Sequence, residues 1–172
     1  IGVVGRFSPE KGQEIFIDAF RLVRDSVPNI KAMLVGEGQN KGILIEEVKK
    51  YGIEKDVIFT GYQEEMAQYY KAFDVVVMPS LSEGMPNVML EALGCDLPCL
   101  GSRIPGIEDI LQYEELMFDP SDEETVVTKI KQFFSDDQHF QKIKGLCQER
   151  KKAFIFDWKE RMFQAVTGVI RS

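Results

Sequence analysis

The segment Pro79-Ser-Leu-Ser-Glu-Gly-Met-Pro-Asn-Val-Met-Leu-Glu91 combines a loop of small and turn-forming residues with the start of a helix. The run before it, Asp74-Val-Val-Val-Met78, has the apolar character and the length of a fully buried strand. Asn87 is the predicted N-cap of the helix, because its side-chain oxygen can accept from an early helical N–H group. A strand, a loop and a helix N-terminus in this order leave backbone amides and the positive end of the helix dipole free to bind an anion. The segment therefore predicts a phosphate-sized anion site.

Two carboxylates flank this predicted anion site. Glu83 lies in the loop, and Glu91 lies about one turn into the helix. An acid near a helix N-terminus is stabilised by the helix dipole, and this structural role is the alternative for one of the two. A pair of acids that frames a phosphate pocket also suits hydrogen bonds to hydroxyl groups. We therefore expect Glu83 and Glu91 to contact sugar hydroxyls beside a bound phosphate.

Short apolar segments alternate with amphipathic helices along the rest of the chain. Strands are predicted at 1–5, 30–35, 57–61, 74–78, 98–101 and 115–118, and helices at 16–27, 41–51, 63–73, 87–93, 107–111, 121–134 and 138–151. Gly52 fits the C-terminal cap of the second helix, and Ser121-x-x-Glu124 matches a capping box. A last helix, with Trp158 and Met162 on one face, is expected to pack on the core. The alternation predicts an α/β fold with a doubly wound, parallel, six-stranded sheet of the Rossmann type.

The strand order predicted for such a sheet, 3-2-1-4-5-6, brings two polar loops together. The winding reverses between the first and fourth strands, and ligands bind outside the carboxyl ends of the strands at that point. The loops that meet there are 6–12 and 80–87, so the cations Arg6 and Lys11 should reach the anion site, although solvated surface positions are the alternative for both. The residues that follow the first three strands and are expected to line the same edge are Gly5, Gly36, Gly38 and Tyr62.

Composition limits the functional classes. The chain has 172 residues and a formal net charge of −7, and this length suits one domain, 1–172, with a sizeable core. The negative charge argues against a nucleic-acid partner, because binding to a phosphate backbone needs many cationic contacts. No apolar run approaches the ~18 residues that a membrane helix requires. Because the chain opens at Ile1 inside a predicted strand, we expect a piece of a longer protein whose targeting sequence would lie outside it.

The three cysteines and several missing motifs exclude other chemistries. Cys95, Cys99 and Cys147 match neither a redox CxxC nor a common zinc pattern, so buried, reduced thiols in a cytoplasmic protein are expected. No GxGxxG follows the first strand, and the triplet Gly36-x-Gly38-x3-Gly42 after the second has one residue too many for a nicotinamide site. A P-loop GxxxxGK[ST] is absent, and so is the Asp-x-Asp of metal-dependent sugar transferases. No metal or other cofactor is therefore expected.

Four short motifs occur in one order with matching spacing. They are Gly5-Arg6-x4-Lys11-Gly12, Val35-Gly-Glu-Gly38, Phe59-Thr-Gly61 and Pro79-Ser-x2-Glu83-Gly84-x6-Glu91. Together they resemble the C-terminal, nucleotide-sugar-binding domain of the retaining glycosyltransferases of family four, the glycosyl transferases group 1, over nearly the whole chain. The resemblance implies the GT-B architecture of two Rossmann-like domains. A second, N-terminal domain outside this chain would then bind the acceptor, and any membrane contact, at the inner face, would come through missing parts or the acceptor.

The resemblance also implies roles for individual residues. Arg6 and Lys11 would bind the diphosphate of the donor and stabilise it as the leaving group, Glu83 would lie at the transferred sugar, and Glu91 would bind the ribose hydroxyls. Backbone amides after Glu83 would hold sugar and phosphate, and those available are at Gly84, Met85 and Asn87. Many relatives have glycine where this chain has Pro86, which has no N–H to donate.

The activity implied by the resemblance is the retaining transfer of a hexosyl group from a UDP- or GDP-sugar to a glycan or a lipid-linked acceptor. Two alternatives use the same residues. One is a nucleotide-sugar-binding module without transfer activity, and the other is a GT-B-like epimerase or phosphorylase. The phosphorylase would need a lysine that binds pyridoxal phosphate, and the sequence alone does not identify one.

Overall fold

One parallel sheet forms the centre of the computed structural model, which describes residues 1–154. Its strands are β1 (Gly2–Val4), β2 (Ala32–Val35), β3 (Val57–Gly61), β4 (Val76–Met78), β5 (Cys99–Ser102) and β6 (Met117–Phe118). They are hydrogen-bonded in the order β3-β2-β1-β4-β5-β6, and all neighbours are parallel. The predicted six-stranded order is confirmed, and the winding reverses between β1 and β4.

Helices cover the sheet on both faces, as the alternating sequence pattern requires. They are α1 (Gln13–Arg24), α2 (Lys41–Lys50), α3 (Ala67–Tyr70), α4 (Asn87–Gly94), α5 (Pro105–Leu111), α6 (Glu123–Ser135) and α7 (Asp137–Phe154). Single turns of 3₁₀-helix lie at Pro9–Lys11 and Glu114–Leu116. Helix α1 packs against α2 and α6, while α4 packs against α7. The central strands are therefore buried on both sides, and Val75, Val76 and Val77 are fully buried.

Helix α3 is shorter than the helix predicted over 63–73. Residues before Ala67 form a turn, in which Nε2 of Gln63 donates to the carbonyl oxygen of Thr60 at 3.0 Å. After Tyr70 the α-helix gives way to a tighter turn, in which the amide of Phe73 donates to the carbonyl of Tyr70, three residues earlier. The periodic apolar spacing continued through both turns, so the pattern did not mark where the helix ended.

The predicted cap of α4 is wrong by one residue. Pro86 is the N-cap, and Asn87 is the first helical residue with no capping hydrogen bond from its side chain. The carbonyl of Pro86 accepts from the amide of Met89 at 3.0 Å, which starts the helix. Because the proline ring restricts φ, here to −78°, the chain enters the helix from Pro86 rather than from Asn87.

The capping box predicted at Ser121 is also wrong by one residue. Asp122 is the N-cap of α6, and its Oδ1 accepts from the amides of Glu124 and Thr125 at 3.0 and 3.4 Å. The hydroxyl of Ser121 instead donates to Oδ1 of Asp119 at 2.6 Å. The glycine predicted at the end of α2 is confirmed, because Gly52 follows the C-cap with φ of 66°.

The prediction of three buried thiols holds for two of them. Cys99 and Cys147 are buried, and burial raises the pKa of Cys147 to about 11. Cys95 is exposed, because it lies at the C-terminal end of α4, beyond the buried face of that helix. The predicted last helix, with Trp158 and Met162, lies outside the described residues. Among the helices that the structure describes, none is long and apolar enough to cross a membrane.

A close backbone contact joins the segment after β1 to the segment after β4. Gly12 has a φ of 65°, which lies in the left-handed region that residues with a side chain rarely adopt. A Cβ atom at this position would lie 2.0 Å from the carbonyl oxygen of Pro79. Only glycine therefore allows the two segments to approach this closely.

We predict that Gly12→Ala lowers the free energy of unfolding by at least about 2 kcal/mol, because it adds both strain and a backbone clash. Gly145→Ala is the matched control, since Gly145 lies within α7 and a Cβ there meets open space. The control should be neutral or stabilising by up to about 1 kcal/mol. Urea denaturation followed by circular dichroism measures both variants, and equal stability of the two would contradict the proposed role of Gly12.

Candidate functional site

The loop after β1 and the loop after β4 lie side by side at the carboxyl edge of the sheet. The amide of Leu81 donates to the carbonyl of Glu10 at 2.8 Å, next to the contact between Gly12 and Pro79. Ser80 is buried within this junction. The convergence predicted from the strand order is thus present, and it brings Lys11 to Glu83.

Lys11 and Glu83 form an ion pair across the two loops. Nζ of Lys11 donates to Oε1 of Glu83 at 2.7 Å, and the hydroxyl of Ser80 donates to the same oxygen at 2.8 Å. Only 8% of the Glu83 side chain is exposed, compared with 27% of the Lys11 side chain. Both bonds use Oε1, and no group of residues 1–154 hydrogen-bonds to Oε2. The carboxylate is therefore fixed at one oxygen and free to contact a ligand with the other.

Unpaired backbone amides follow Glu83 directly. Within residues 1–154, the N–H groups of Gly84, Met85, Asn87 and Val88 have no hydrogen-bond acceptor. These amides belong to the loop and to the first turn of α4, where the helix dipole is positive. Pro86 interrupts the series because it has no N–H. The amides and the ammonium group of Lys11 together supply the positive potential that an anion requires.

Arg6 lies at the outer side of the same edge. Its side chain is 71% exposed, and Nη2 donates to Oε1 of Glu10 at 2.8 Å. The hydroxyl of Ser8 donates to the same oxygen at 2.7 Å. The hydrogen bond from Ser8, with that from Arg6, lowers the pKa of Glu10 to about 2, so this carboxylate is ionised at neutral pH. Glu10 therefore holds Arg6 at the rim while most of the Arg6 side chain stays exposed.

A cavity of about 360 Å³ opens beside Arg6, between the ends of the first three strands and helix α4. The predicted site residues that line it are Gly5, Arg6, Gly36, Tyr62 and Glu91. Val88 and Met66 add apolar surface to its walls. An apolar cavity with a carboxylate and a guanidinium at its rim suits a flat ring joined to a polyhydroxy group.

Four predicted substrate-binding residues do not line this cavity as the structure describes it. Gly38 supports the wall, since a Cβ there would lie 2.2 Å from the carbonyl oxygen of Phe7. Gly84, Met85 and Asn87 are exposed on the loop before α4 and at its first turn, on the side of Lys11 and Glu83. The predicted residues therefore divide between a cavity at Glu91 and an anion site at Glu83.

Sequence reasoning missed three residues that fix these side chains. The hydroxyl of Ser80 holds Glu83, and the hydroxyl of Tyr70 donates to Oε2 of Glu91 at 2.7 Å. Gly106, near the start of α5, packs closely against the backbone of the Glu83 loop. A Cβ atom at this position would lie 2.5 Å from the carbonyl oxygens of Glu83 and Gly84. The proline and glycine before Ile107 were the only sequence signal for this last contact.

In the part of the chain that the structure describes, no three His, Cys, Asp or Glu side chains gather so that they could hold a metal ion. The positive groups present at the anion site are the ammonium of Lys11 and the amides that precede and begin α4.

Comparison with known families identifies the chain. The model of the family described as "Glycosyl transferases group 1" matches residues 1–150, and the chain belongs to this family. Sulfoquinovosyl transferase SQD2 of Arabidopsis thaliana is 31% identical over 163 residues, which cover 91% of this chain and 30% of the relative. The chain therefore spans less than a third of the length of this curated relative.

Solved structures share the fold. HepE of Anabaena, in complex with UDP and glucose, aligns with a TM-score of 0.83 and 24% identity, over 99% of this chain and 48% of that one. The C-terminal domain of the glycosyl transferase group 1 family protein LpcC of Francisella tularensis aligns with a TM-score of 0.75 and 22% identity, over 88% of this chain and 82% of that one. The predicted Rossmann-like fold of the C-terminal half of a GT-B glycosyltransferase is confirmed.

We predict that Gly106→Ala displaces the Glu83 loop, because its Cβ cannot lie 2.5 Å from two backbone oxygens. The expected result is a large change in the amide chemical shifts of Glu83 and Gly84 in a ¹H–¹⁵N spectrum, while the chain stays folded. Gly42→Ala is the control, since a Cβ at that position of α2 meets open space. Loop shifts that match those of the control would show that Gly106 does not support the loop.

Proposed function

We propose that this chain binds a nucleoside-diphosphate sugar, with UDP or GDP as the nucleotide, and serves a glycosyltransferase that moves a hexosyl group with retention of configuration. The acceptor in this proposal is a glycan or a lipid-linked sugar. The observation that carries it is the ion pair of Lys11 and Glu83 beside four unpaired amides, next to a cavity that Glu91 lines. An acid for sugar hydroxyls, an anion site and an apolar cavity would correspond to the sugar, the diphosphate and the nucleoside of a nucleotide sugar.

The diphosphate would bind between Lys11 and the start of α4. The amides of Gly84, Met85, Asn87 and Val88 can donate to phosphate oxygens, and the helix dipole adds positive potential. Arg6 would reach the phosphates from the rim, since most of its side chain is accessible. The nucleoside would then extend into the cavity toward Tyr62 and Gly36, with its ribose hydroxyls on Glu91.

Departure of the nucleoside diphosphate develops negative charge on the β-phosphate. Fixed cations and amides placed at that charge stabilise the transition state more than the ground state. Lys11 is prepositioned for this role by its bond to Glu83, at 2.7 Å, so little reorganisation is needed when the phosphate binds. Lys11 and Arg6 would therefore contribute mainly to the rate of transfer and less to the affinity for the acceptor.

Glu83 lies where the transferred sugar would follow the β-phosphate. Its Oε1 is held by Lys11 and Ser80, so its Oε2 can accept from a sugar hydroxyl. A nearly buried carboxylate in this place would also stabilise positive charge that develops on the sugar ring. We propose an orienting and electrostatic role for Glu83, rather than a role in binding the nucleotide.

The acceptor site is proposed to lie on a second, preceding Rossmann-like domain. The observation that supports this is the length of the relatives, since the chain covers 30% of SQD2 and 48% of HepE. Efficient transfer also requires that water is excluded and that the acceptor is positioned, and we propose that the second domain provides both. We therefore expect residues 1–172 to bind the nucleotide and to transfer no sugar without the second domain.

We predict that the chain binds UDP or GDP equally well with and without EDTA, because Lys11, Arg6 and the α4 amides neutralise the diphosphate. Glu91→Ala should weaken binding of the nucleoside diphosphate by roughly 1.5–3 kcal/mol, the cost of hydrogen bonds to a charged acceptor. Glu83→Gln should leave this affinity nearly unchanged, because the amide oxygen of glutamine can still accept from Lys11 and the proposed ligand contact of Glu83 is to the sugar. Isothermal titration calorimetry measures all three effects.

Two outcomes would contradict the proposal at different points. Strict dependence of binding on Mg²⁺ or Mn²⁺ would show that the diphosphate is held through a metal. A loss of affinity in Glu83→Gln but not in Glu91→Ala would show that the two acids have the opposite roles.

A further inference from the structure

Tyr70 is a buried residue that the site chemistry described above does not use. Its side chain is 3% exposed, and its hydroxyl donates to Oε2 of Glu91 at 2.7 Å. The ring packs edge to face on Phe73, with the centroids 6.2 Å apart and an interplanar angle of 85°. The bond crosses from helix α3 to helix α4, over a sequence separation of 21 residues. Glu91 is itself an exposed residue, and the buried hydroxyl of Tyr70 holds its carboxylate in place.

The hydroxyl is a fixed donor in this pair. Burial, and then the hydrogen bond to Glu91, raises the pKa of Tyr70 well above its ordinary value, so the phenol stays protonated throughout the physiological range. A carboxylate only accepts, and a hydrogen bond from a neutral hydroxyl to an ionised oxygen is stronger than one between neutral groups. Because Oε2 of Glu91 is engaged, Oε1 is the oxygen left free to bind a ligand.

The bond also joins two elements that contribute to the lining of the cavity. Met66 lines the cavity and is the N-cap of α3, the helix that carries Tyr70. Val88 and Glu91 line it from α4. A glutamate on an exposed helix surface has several rotamers, and fixing one of them costs conformational entropy. In the folded chain the hydrogen bond from Tyr70 already restricts Glu91, so less conformational entropy is lost when a ligand binds.

We propose that Tyr70 is a positioning residue, whose buried hydroxyl holds Glu91 in the rotamer that accepts the vicinal hydroxyls of the donor's ribose. This inference rests on the proposed function, because it assigns to Glu91 the contact with ribose. It adds a residue from a different helix to the donor site and predicts that the affinity of the site for ribose hydroxyls depends on α3. Tyr70 touches no part of the ligand and acts through Glu91.

The test compares Tyr70→Phe with the unchanged chain for two kinds of ligand. The ligands are UDP and GDP, each in its ordinary form and in a 2′,3′-dideoxy form that has no hydroxyls for Glu91 to bind. Phenylalanine keeps the edge-to-face contact with Phe73, so the variant should fold. Calorimetry should show an affinity loss of about tenfold for the ribonucleotide, because a preorganised carboxylate becomes mobile. The affinity for the dideoxy form should not change.

Two further variants separate positioning from a structural effect. Tyr69→Phe removes the neighbouring hydroxyl of the same helix and should leave both affinities unchanged. In a Glu91→Ala background, Tyr70→Phe should have no further effect on the ribonucleotide, because the carboxylate that Tyr70 positions is absent. A thermal unfolding curve for each variant checks that the fold is retained.

The outcomes distinguish this inference from the proposed function. If the unchanged chain binds the ribonucleotide and its dideoxy form equally well, Glu91 does not contact ribose, and the positioning role fails although nucleotide binding stands. If the unchanged chain binds neither form, the proposed function itself fails. If the unchanged chain prefers the ribonucleotide and Tyr70→Phe keeps that preference, the proposed function stands and the positioning role is wrong. An equal loss for both ligands would also overturn it, since that result marks a structural role.

Discussion

The close approach of two loops at the point where the sheet changes its winding direction is the constraint on which the candidate site depends. Parallel strands β1 and β4 are neighbours although the chain between them forms β2, β3 and the helices α1 to α3. Their loops touch through Gly12 and Pro79, and Lys11 and Glu83 pair across that contact. Each loop supplies half of the site, a cation from one and a carboxylate with free amides from the other. Neither half would be in place without the strand order.

The sheet and the convergence of these loops could be predicted from the sequence, because both follow from local patterns. Buried parallel strands are short apolar runs, and alternation with helices leaves few topologies. The convergence of the loops that carry Lys11 and Glu83, 72 residues apart, follows from the strand order, and in the structure Nζ of Lys11 lies 2.7 Å from Oε1 of Glu83. The placement of Gly5, Gly36, Tyr62 and Glu91 around one cavity follows from the same order. What these residues bind remains a proposal.

The details that the sequence did not reveal depend on side-chain geometry between elements. Asn87 and Ser121 are good caps by residue type, but Pro86 and Asp122 compete for the same helix starts one residue away, and local geometry decides between them. Tyr70 was predictable as a packing residue, whereas its bond to Glu91 depends on how α3 and α4 face each other. The supporting contact of Gly106 joins segments whose sequences carry no pattern in common. These contacts decide how precisely the site is held.

A crystal structure of the chain with UDP or GDP bound tests the central claim most directly. The account predicts the β-phosphate within about 3.2 Å of Nζ of Lys11 and of amides in the segment 84–88. It also predicts the ribose hydroxyls on Glu91 and the base in the cavity beside Tyr62. A diphosphate bound instead at the glycines of the loop after β2, Gly36 and Gly38, would contradict it, because the two loops joined by Lys11 and Glu83 would then not form the donor site.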